Sequence, residues 1–220
     1  MKVTEAFTFA GNPKAICLEI LAQNLPLKCV CSLQDMKLKI PEKIKKVRRA
    51  SFKYYYYYAC SKFLLQNGEF LCYKNTREKQ IYINTQHGTP LKLMGAERLS
   101  ENDNIASYKK NRRWSYLISP NRYTTEIFKR VCRFSGPVLE VGYPRNDIFY
   151  THNNVSSILS LKKKMELPFD KKIILYAPTW RDRDGARVDK NFEIVLDLIK
   201  MEDKETVKFY TEYYNARFKT

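Results

Sequence analysis

The stretch Gln80-Ile81-Tyr82-Ile83-Asn84-Thr85, followed at once by Gln86-His87-Gly88, decides the architecture. Its β-branched and aromatic side chains suit a buried strand, and the polar residues after it end that strand on a histidine and a glycine. Working outward, Leu27 to Leu33, Ser115 to Ile118 and Pro137 to Val141 read as further strands. Helices are expected from Pro13, a good first helical residue, to about Ala22, from Ser51 to Leu65, and from about Thr124 to Arg133. Strands alternating with helices predict an α/β fold with a parallel sheet. Such sheets bind ligands at the carboxyl ends of their strands, and His87 stands at one of those ends.

Two regions extend this pattern. At the start, Ala6-Phe7-Thr8-Phe9-Ala10 reads as a short apolar strand, after which Gly11-Asn12-Pro13 turns the chain into the first helix. Further on, the polar Tyr150-Thr151-His152-Asn153-Asn154 predicts a boundary, with one domain over residues 1–150 and a second unit over 151–220. That unit is expected to open on a lysine-rich helix. A strand over Lys172 to Tyr176, a loop over Ala177 to Arg187 and a helix from about Phe192 to Met201 should follow.

Composition narrows the partners. With 44% hydrophobic and 14% aromatic residues the chain can build a core, which excludes disorder. No window reaches the roughly 18 uninterrupted apolar residues of a spanning helix, and Met1 to Ala15 lacks a signal-peptide core, so a cytoplasmic protein is expected. The six cysteines show no paired two-residue spacing and read as reduced, buried side chains, with no metal site expected. A net charge of +17 calls for a polyanionic partner: nucleic acid, anionic lipid headgroups or a polyphosphate polymer. The densest run, Lys37 to Arg49, sets seven cations against Glu42 alone and leads into Tyr54 to Tyr58. Either this run docks on anionic headgroups beside its tyrosines, or it is a solvated turn before a helix that buries two or three of them. A nucleic-acid-binding module is the alternative from a different class. It lacks a Gly-x-x-Gly clamp and an RNA-recognition aromatic signature, so no nucleic-acid partner is expected.

The segment His87-Gly88-Thr89-Pro90-Leu91-Lys92 concentrates reactive groups. Imidazole is suited to accept a proton from an attacking hydroxyl. Gly88 admits a ligand close to the backbone, Thr89 is a candidate cap for a helix beginning at Pro90, and Lys92 would add a cation near that phosphate-favouring terminus. Arg145-Asn146-Asp147 reads either as a hinge held by an Arg–Asp pair or as a ligand contact. Thr179-Trp180-Arg181-Asp182 reads either as a capped loop with Trp180 in the core or as a ligand contact. His152 is expected to face solvent.

Three segments, Asn84 to Gly95 (NTQHGTPLKLMG), Gly142 to Asp147 (GYPRND) and Tyr176 to Asp182 (YAPTWRD), resemble in order the signatures of the CDP-glycerol glycerophosphotransferase family. Phe9 to Lys14 and Ile118 to Asn121 are similar to it too, so the resemblance covers nearly everything before about Lys200. It implies a glycosyltransferase-B type fold, here an N-terminal Rossmann-like domain plus the start of a second. It also implies a peripheral enzyme at the cytoplasmic face of the plasma membrane. Glycerol phosphate, or ribitol phosphate in relatives, would pass from a CDP-alditol to a polyanionic teichoic acid on a lipid carrier, with release of CMP and no cofactor. His87 would correspond to the family's proposed general base, with Gly11, Asn12, Gly88, Thr89, Lys92, Arg145, Thr179 and Arg181 as substrate-binding residues.

The sequence departs from that pattern in two respects. Gln86 stands where many members have tryptophan. Met201 to Thr220 does not resemble what should follow, and the family's second histidine and its Asp-Tyr-Ser-Ser-like stretch are absent. A truncated or interrupted reading frame is therefore expected, one that keeps the base and loses most of the nucleotide site.

Overall fold

The computed structural model describes residues 2–5, 9–68, 78–91, 93–97, 111–171 and 173, the first four through their backbone alone. Seven strands form one sheet: β1 (Lys2–Glu5), β2 (Cys29–Leu33), β3 (Lys45–Arg48), β4 (Phe63–Gln66), β5 (Ile81–Asn84), β6 (Tyr116–Ser119) and β7 (Val138–Glu140). Their order is β3-β2-β1-β4-β5-β6-β7, and every pairing is parallel. The connections include α1 (Gly11–Ala22), α2 (Phe52–Cys60) and α3 (Arg122–Cys132). Strand order reverses between β1 and β4, which makes the crevice at their carboxyl ends the switch point of the fold.

Burial on both faces is what a parallel sheet requires, and β2 shows it residue by residue. All five of its residues are buried. Cys29, Cys31 and Leu33 pack with Cys17 and Ile20 of α1, while Val30 packs with Tyr54 and Tyr58 of α2 and Phe128 of α3. Each fully buried large side chain such as Tyr54 or Phe128 contributes about 1.5–3 kcal/mol. Local signals then set the ends of the helices. Ser51 caps α2 by accepting from the Tyr54 amide, and Asn121 caps α3 by accepting from that of Thr124.

Several expected elements are displaced. The helix foreseen to Leu65 stops at Cys60, where the Ser61 hydroxyl bonds back to the Tyr57 carbonyl (2.6 Å) and Gln80 Nε2 donates to the Tyr58 and Ser61 carbonyls. Phe63 to Gln66 instead form β4, paired on both sides, so ladder bonds outweigh the helix preference of Leu64 and Leu65. The opening strand is Lys2–Glu5 rather than Ala6 to Ala10; Ala6, Phe7 and Thr8 lie outside the described residues. α1 begins two residues before Pro13. Within the basic run, Lys45–Arg48 is an edge strand that buries only Val47, a charged edge of the kind that discourages further pairing.

The chain divides into two compact units, 1–153 and 154–220. In the second, α4 (Val155–Lys164) is capped by Asn154, whose side chain accepts from the Ser157 amide. The strand, loop and helix expected over 172–201 lie outside the described residues, apart from Ile173. Cys17, Cys29, Cys31 and Cys132 are buried and Cys60 is exposed, none of them in a disulfide bond; Cys72 is not among the described residues. No helix among the described residues is long and apolar enough to cross a membrane.

Candidate active site

Segments leaving four strands meet at the carboxyl edge. After β1, Gly11 adopts a φ of +66°, and a Cβ there would stand 3.3 Å from Asn67 Nδ2, so glycine suits this turn. Next to it Asn12 is 1% exposed. Its Nδ2 donates to the Thr85 and Gln86 carbonyls (both 2.9 Å), and its Oδ1 accepts from the Arg145 amide (3.3 Å). One buried amide thus ties the segments after β1, β5 and β7 together.

After β5 the backbone turns sharply. Gln86 is buried at a φ of +48°, held there by its amide donating to Asn84 Oδ1 (2.9 Å), while Asn84 Nδ2 donates to the Gly68 carbonyl (3.2 Å). A non-glycine residue in this region is strained, and such strain persists only where surrounding bonds over-determine it. His87 follows, exposed. Its Nδ1 lies 2.9 Å from the Asn67 carbonyl, which follows β4. A carbonyl can only accept, so this contact assigns the proton of the neutral ring to Nδ1 and leaves the Nε2 lone pair free.

Arg145 closes the group from a 3-10 turn (Pro144–Asn146) after β7. Its Nη2 donates to the His87 carbonyl (2.9 Å), and its guanidinium lies 5.5 Å from the Tyr143 ring centre. The Tyr143 hydroxyl is buried without a hydrogen-bond partner among the described residues. Burial pushes it up to about 12, with Arg145 pulling the other way, so it stays a neutral phenol. A free imidazole nitrogen beside a guanidinium can take a proton from a hydroxyl while an anion is held near it.

The other expected site residues are placed as follows. Open space stands where a Gly88 side chain would go. Thr89 does not cap a helix: Pro90 and Leu91 are not helical, and the Thr89 hydroxyl instead pairs with that of Thr124 in the first turn of α3 (2.9 Å). Lys92, Thr179 and Arg181 lie outside the described residues, as does Trp180. The Arg145–Asp147 hinge pair is not among the ion pairs of the described residues, because the guanidinium turns to His87. His152 is exposed, its Nδ1 2.8 Å from the Thr151 hydroxyl. Sequence reading missed Asn67, Asn84 and Tyr143. Asn67-Gly68 is a turn dipeptide after an apolar run, the signal that marks the end of β4.

The fold and this edge define a Rossmann-type α/β domain that presents an oriented imidazole and a guanidinium at the carboxyl edge of its sheet. Comparison with known proteins narrows the class. The chain belongs to the CDP-glycerol:poly(glycerophosphate) glycerophosphotransferase family, whose model matches residues 2–212. It is 34% identical over 211 residues to the teichoic acid poly(glycerol phosphate) polymerase of Bacillus spizizenii, covering 89% of this chain and 53% of that protein. To the polymerase of the same description from Staphylococcus epidermidis it is 39% identical over 170 residues, 72% of this chain and 24% of that one. A structure of the wall teichoic acid polymerase TagF superposes with a TM-score of 0.80 at 34% identity, covering 90% of this chain and 52% of TagF. The chain thus spans between about a quarter and about a half of the length of these relatives.

Proposed function

We infer that this chain supplies the acceptor side of a glycerol phosphate transfer from CDP-glycerol to the terminal hydroxyl of a teichoic acid-type polymer. The observation that carries this reading is the His87 ring, oriented by the Asn67 carbonyl with Nε2 free at the carboxyl edge of the sheet. Nε2 accepts the proton of the acceptor hydroxyl as its oxygen bonds to the β-phosphorus of the donor. The bond from that phosphorus to the bridging oxygen breaks, and CMP leaves. Phosphoryl transfer depends on cations around the phosphorus, and Arg145 beside His87 supplies one, with Lys92, Thr179 and Arg181 as further donor-binding residues. Gly11 and Asn12 shape the floor of the site, and Gly88 and Thr89 line its mouth. Family membership and a TagF structure soaked with CDPG support the donor.

The acceptor in this reading is polyanionic and carried on a lipid, and the chain works as a peripheral protein at the cytoplasmic face of the membrane. The net charge of +17, the basic loop before β3, and the exposed Phe52, Tyr55 and Tyr56 of α2 support this.

The test joins this chain to the remaining C-terminal portion of the Bacillus spizizenii polymerase and follows CMP release from CDP-glycerol. His87→Ala should lower turnover by about 10²–10⁴-fold while leaving stability within about 0.5 kcal/mol, because the ring is exposed. A joined enzyme whose His87→Ala variant turned over at the parent rate would remove His87 as the base.

A further inference from the structure

We propose that Arg48 and Arg49, at the far end of the same sheet edge, form a second phosphodiester subsite that holds the acceptor polymer about three units behind its reacting hydroxyl. This rests on the acceptor reading above and extends it to a part of the molecule that reading does not use.

The observation is a cleft of about 390 Å³ lined by Gln34, Arg48, Arg49 and Ala50, within the size range of small-ligand pockets. Gln34 follows β2, and the other three carry the chain from β3 into α2. Its geometry is fixed by the backbone. The Arg49 amide donates to the Leu33 carbonyl (2.9 Å), Ala50 takes a φ of +60°, and the Ser51 hydroxyl donates to the Arg48 carbonyl (2.7 Å) before capping α2. Arg48 is exposed and Arg49 half-buried. Two guanidiniums on one cleft fit a phosphodiester, which their planar donor forks bind through charge-assisted bonds.

Position gives the cleft its meaning. Lys46, Cys31, Thr4, Leu65 and Ile83 lie in one row across β3, β2, β1, β4 and β5. Arg48 and Arg49 are two and three residues beyond that row on β3, while Thr85 and Gln86 are two and three beyond it on β5, with His87 next. The arginine cleft and the candidate base therefore stand at the same level of one edge, four strand spacings apart, or roughly 19 Å. A glycerol phosphate unit adds six backbone bonds of about 1.5 Å, or about 7 Å when extended, so about three units bridge the gap. A polymer whose end lies at His87 and whose chain follows the carboxyl edge reaches the cleft in register. A short acceptor does not.

A phosphodiester also occurs in lipid headgroups, so the experiment has two arms. Affinities of the chain are measured for a dimer and a hexamer of glycerol phosphate, and for vesicles of phosphatidylglycerol and of phosphatidylcholine. The parent is compared with Arg48→Gln/Arg49→Gln and with Lys39→Gln/Lys43→Gln, an equal charge change before β3; thermal melts report that each is folded. The hexamer should bind the parent about tenfold or more tighter than the dimer. Arg48→Gln/Arg49→Gln should abolish that advantage, leaving affinity for the dimer and for vesicles within about twofold, and the lysine variant should keep the advantage. The proposal falls if the arginine variant retains the hexamer advantage or if both variants lose it equally. It also falls if the arginine variant loses phosphatidylglycerol binding alone, which assigns the cleft to headgroups. A parent that binds neither oligomer sinks the acceptor reading together with this one.

Discussion

Replacing Asn12 tests the architecture of the site through its most buried polar group. The side chain is 1% exposed and makes three hydrogen bonds, two as donor to the Thr85 and Gln86 carbonyls and one as acceptor from the Arg145 amide. Asn12→Ala removes all three and takes a donor from the carbonyls of two buried residues, Thr85 and Gln86. With about 1 kcal/mol net per bond, and more where a buried partner is stranded, the expected loss is about 2–4 kcal/mol. That is a large share of the 5–15 kcal/mol typical of a domain. Asn12→Asp makes the sharper comparison, because it keeps the size of the side chain and turns the donor end into a second acceptor facing two carbonyl oxygens. It should destabilise more than alanine at neutral pH, and the gap should narrow as acid restores one proton. Urea unfolding followed by far-ultraviolet circular dichroism measures both, with equal slopes confirming that stability alone has changed. If aspartate proved as stable as alanine at neutral pH, or alanine cost less than about 0.5 kcal/mol, Asn12 would not be the tie between the three segments.

Two further outcomes follow from backbone and burial. Gly95 has a φ of +53°, and a Cβ there would lie 2.1 Å from the Val131 carbonyl oxygen, a backbone atom that cannot swing aside. Gly95→Ala should therefore cost at least about 2 kcal/mol, against about 1 kcal/mol for Gly142→Ala, where φ is +79° but the space is open, and melting temperatures should rank them so. Burial pushes the Cys132 thiol up from 9.0 to about 11 and the Tyr143 hydroxyl up from 10.0 to about 12. Above pH 9 the unfolded chain loses these protons first, so it binds fewer protons than the folded one and stability falls with rising pH, by on the order of 2 kcal/mol per group by pH 12. Urea midpoints across that range should show the decline, and Cys132→Ala should flatten its lower part.

The parallel sheet was legible because its signals are local: the apolar runs around Ile83, Val30 and Leu117, each bounded by a turn or a cap. Besides the misplaced opening strand, two strands were not read at all, for physical reasons. Leu64 and Leu65 continue a helix-compatible sequence, and only pairing with β1 and β5 makes them strand. In β3 a single buried Val47 stands among cations, so alternation is hidden by the charge that protects the edge. His87 was legible because a reactive side chain after a strand stands out in sequence. Asn67 was not, because it contributes a backbone carbonyl, which any residue carries. Arg145 was found, but its partner was misread: Asp147 is near in sequence, whereas the His87 carbonyl is 58 residues away and is reached only through the fold.

The division of labour within the site also has a physical cause. Strand ends of a parallel sheet leave donors and acceptors without ladder partners, and here they are met by buried side chains: Asn12 on Thr85 and Gln86, Asn84 on Gln86 and Gly68, Thr85 on Gln66. A floor of that kind has few alternative arrangements, since each partner lost leaves a buried group unpaired. His87 and Arg145 are exposed; the Arg145 amide donates to Asn12 in that floor, and the Arg145 guanidinium in turn donates to the His87 carbonyl. For His87, the nitrogen proposed for the chemistry and the carbonyl that meets Arg145 are therefore different atoms. The side chain of His87 can change with little cost to the fold, whereas its carbonyl helps hold Arg145, so replacing the imidazole removes the proposed base without displacing the guanidinium beside it.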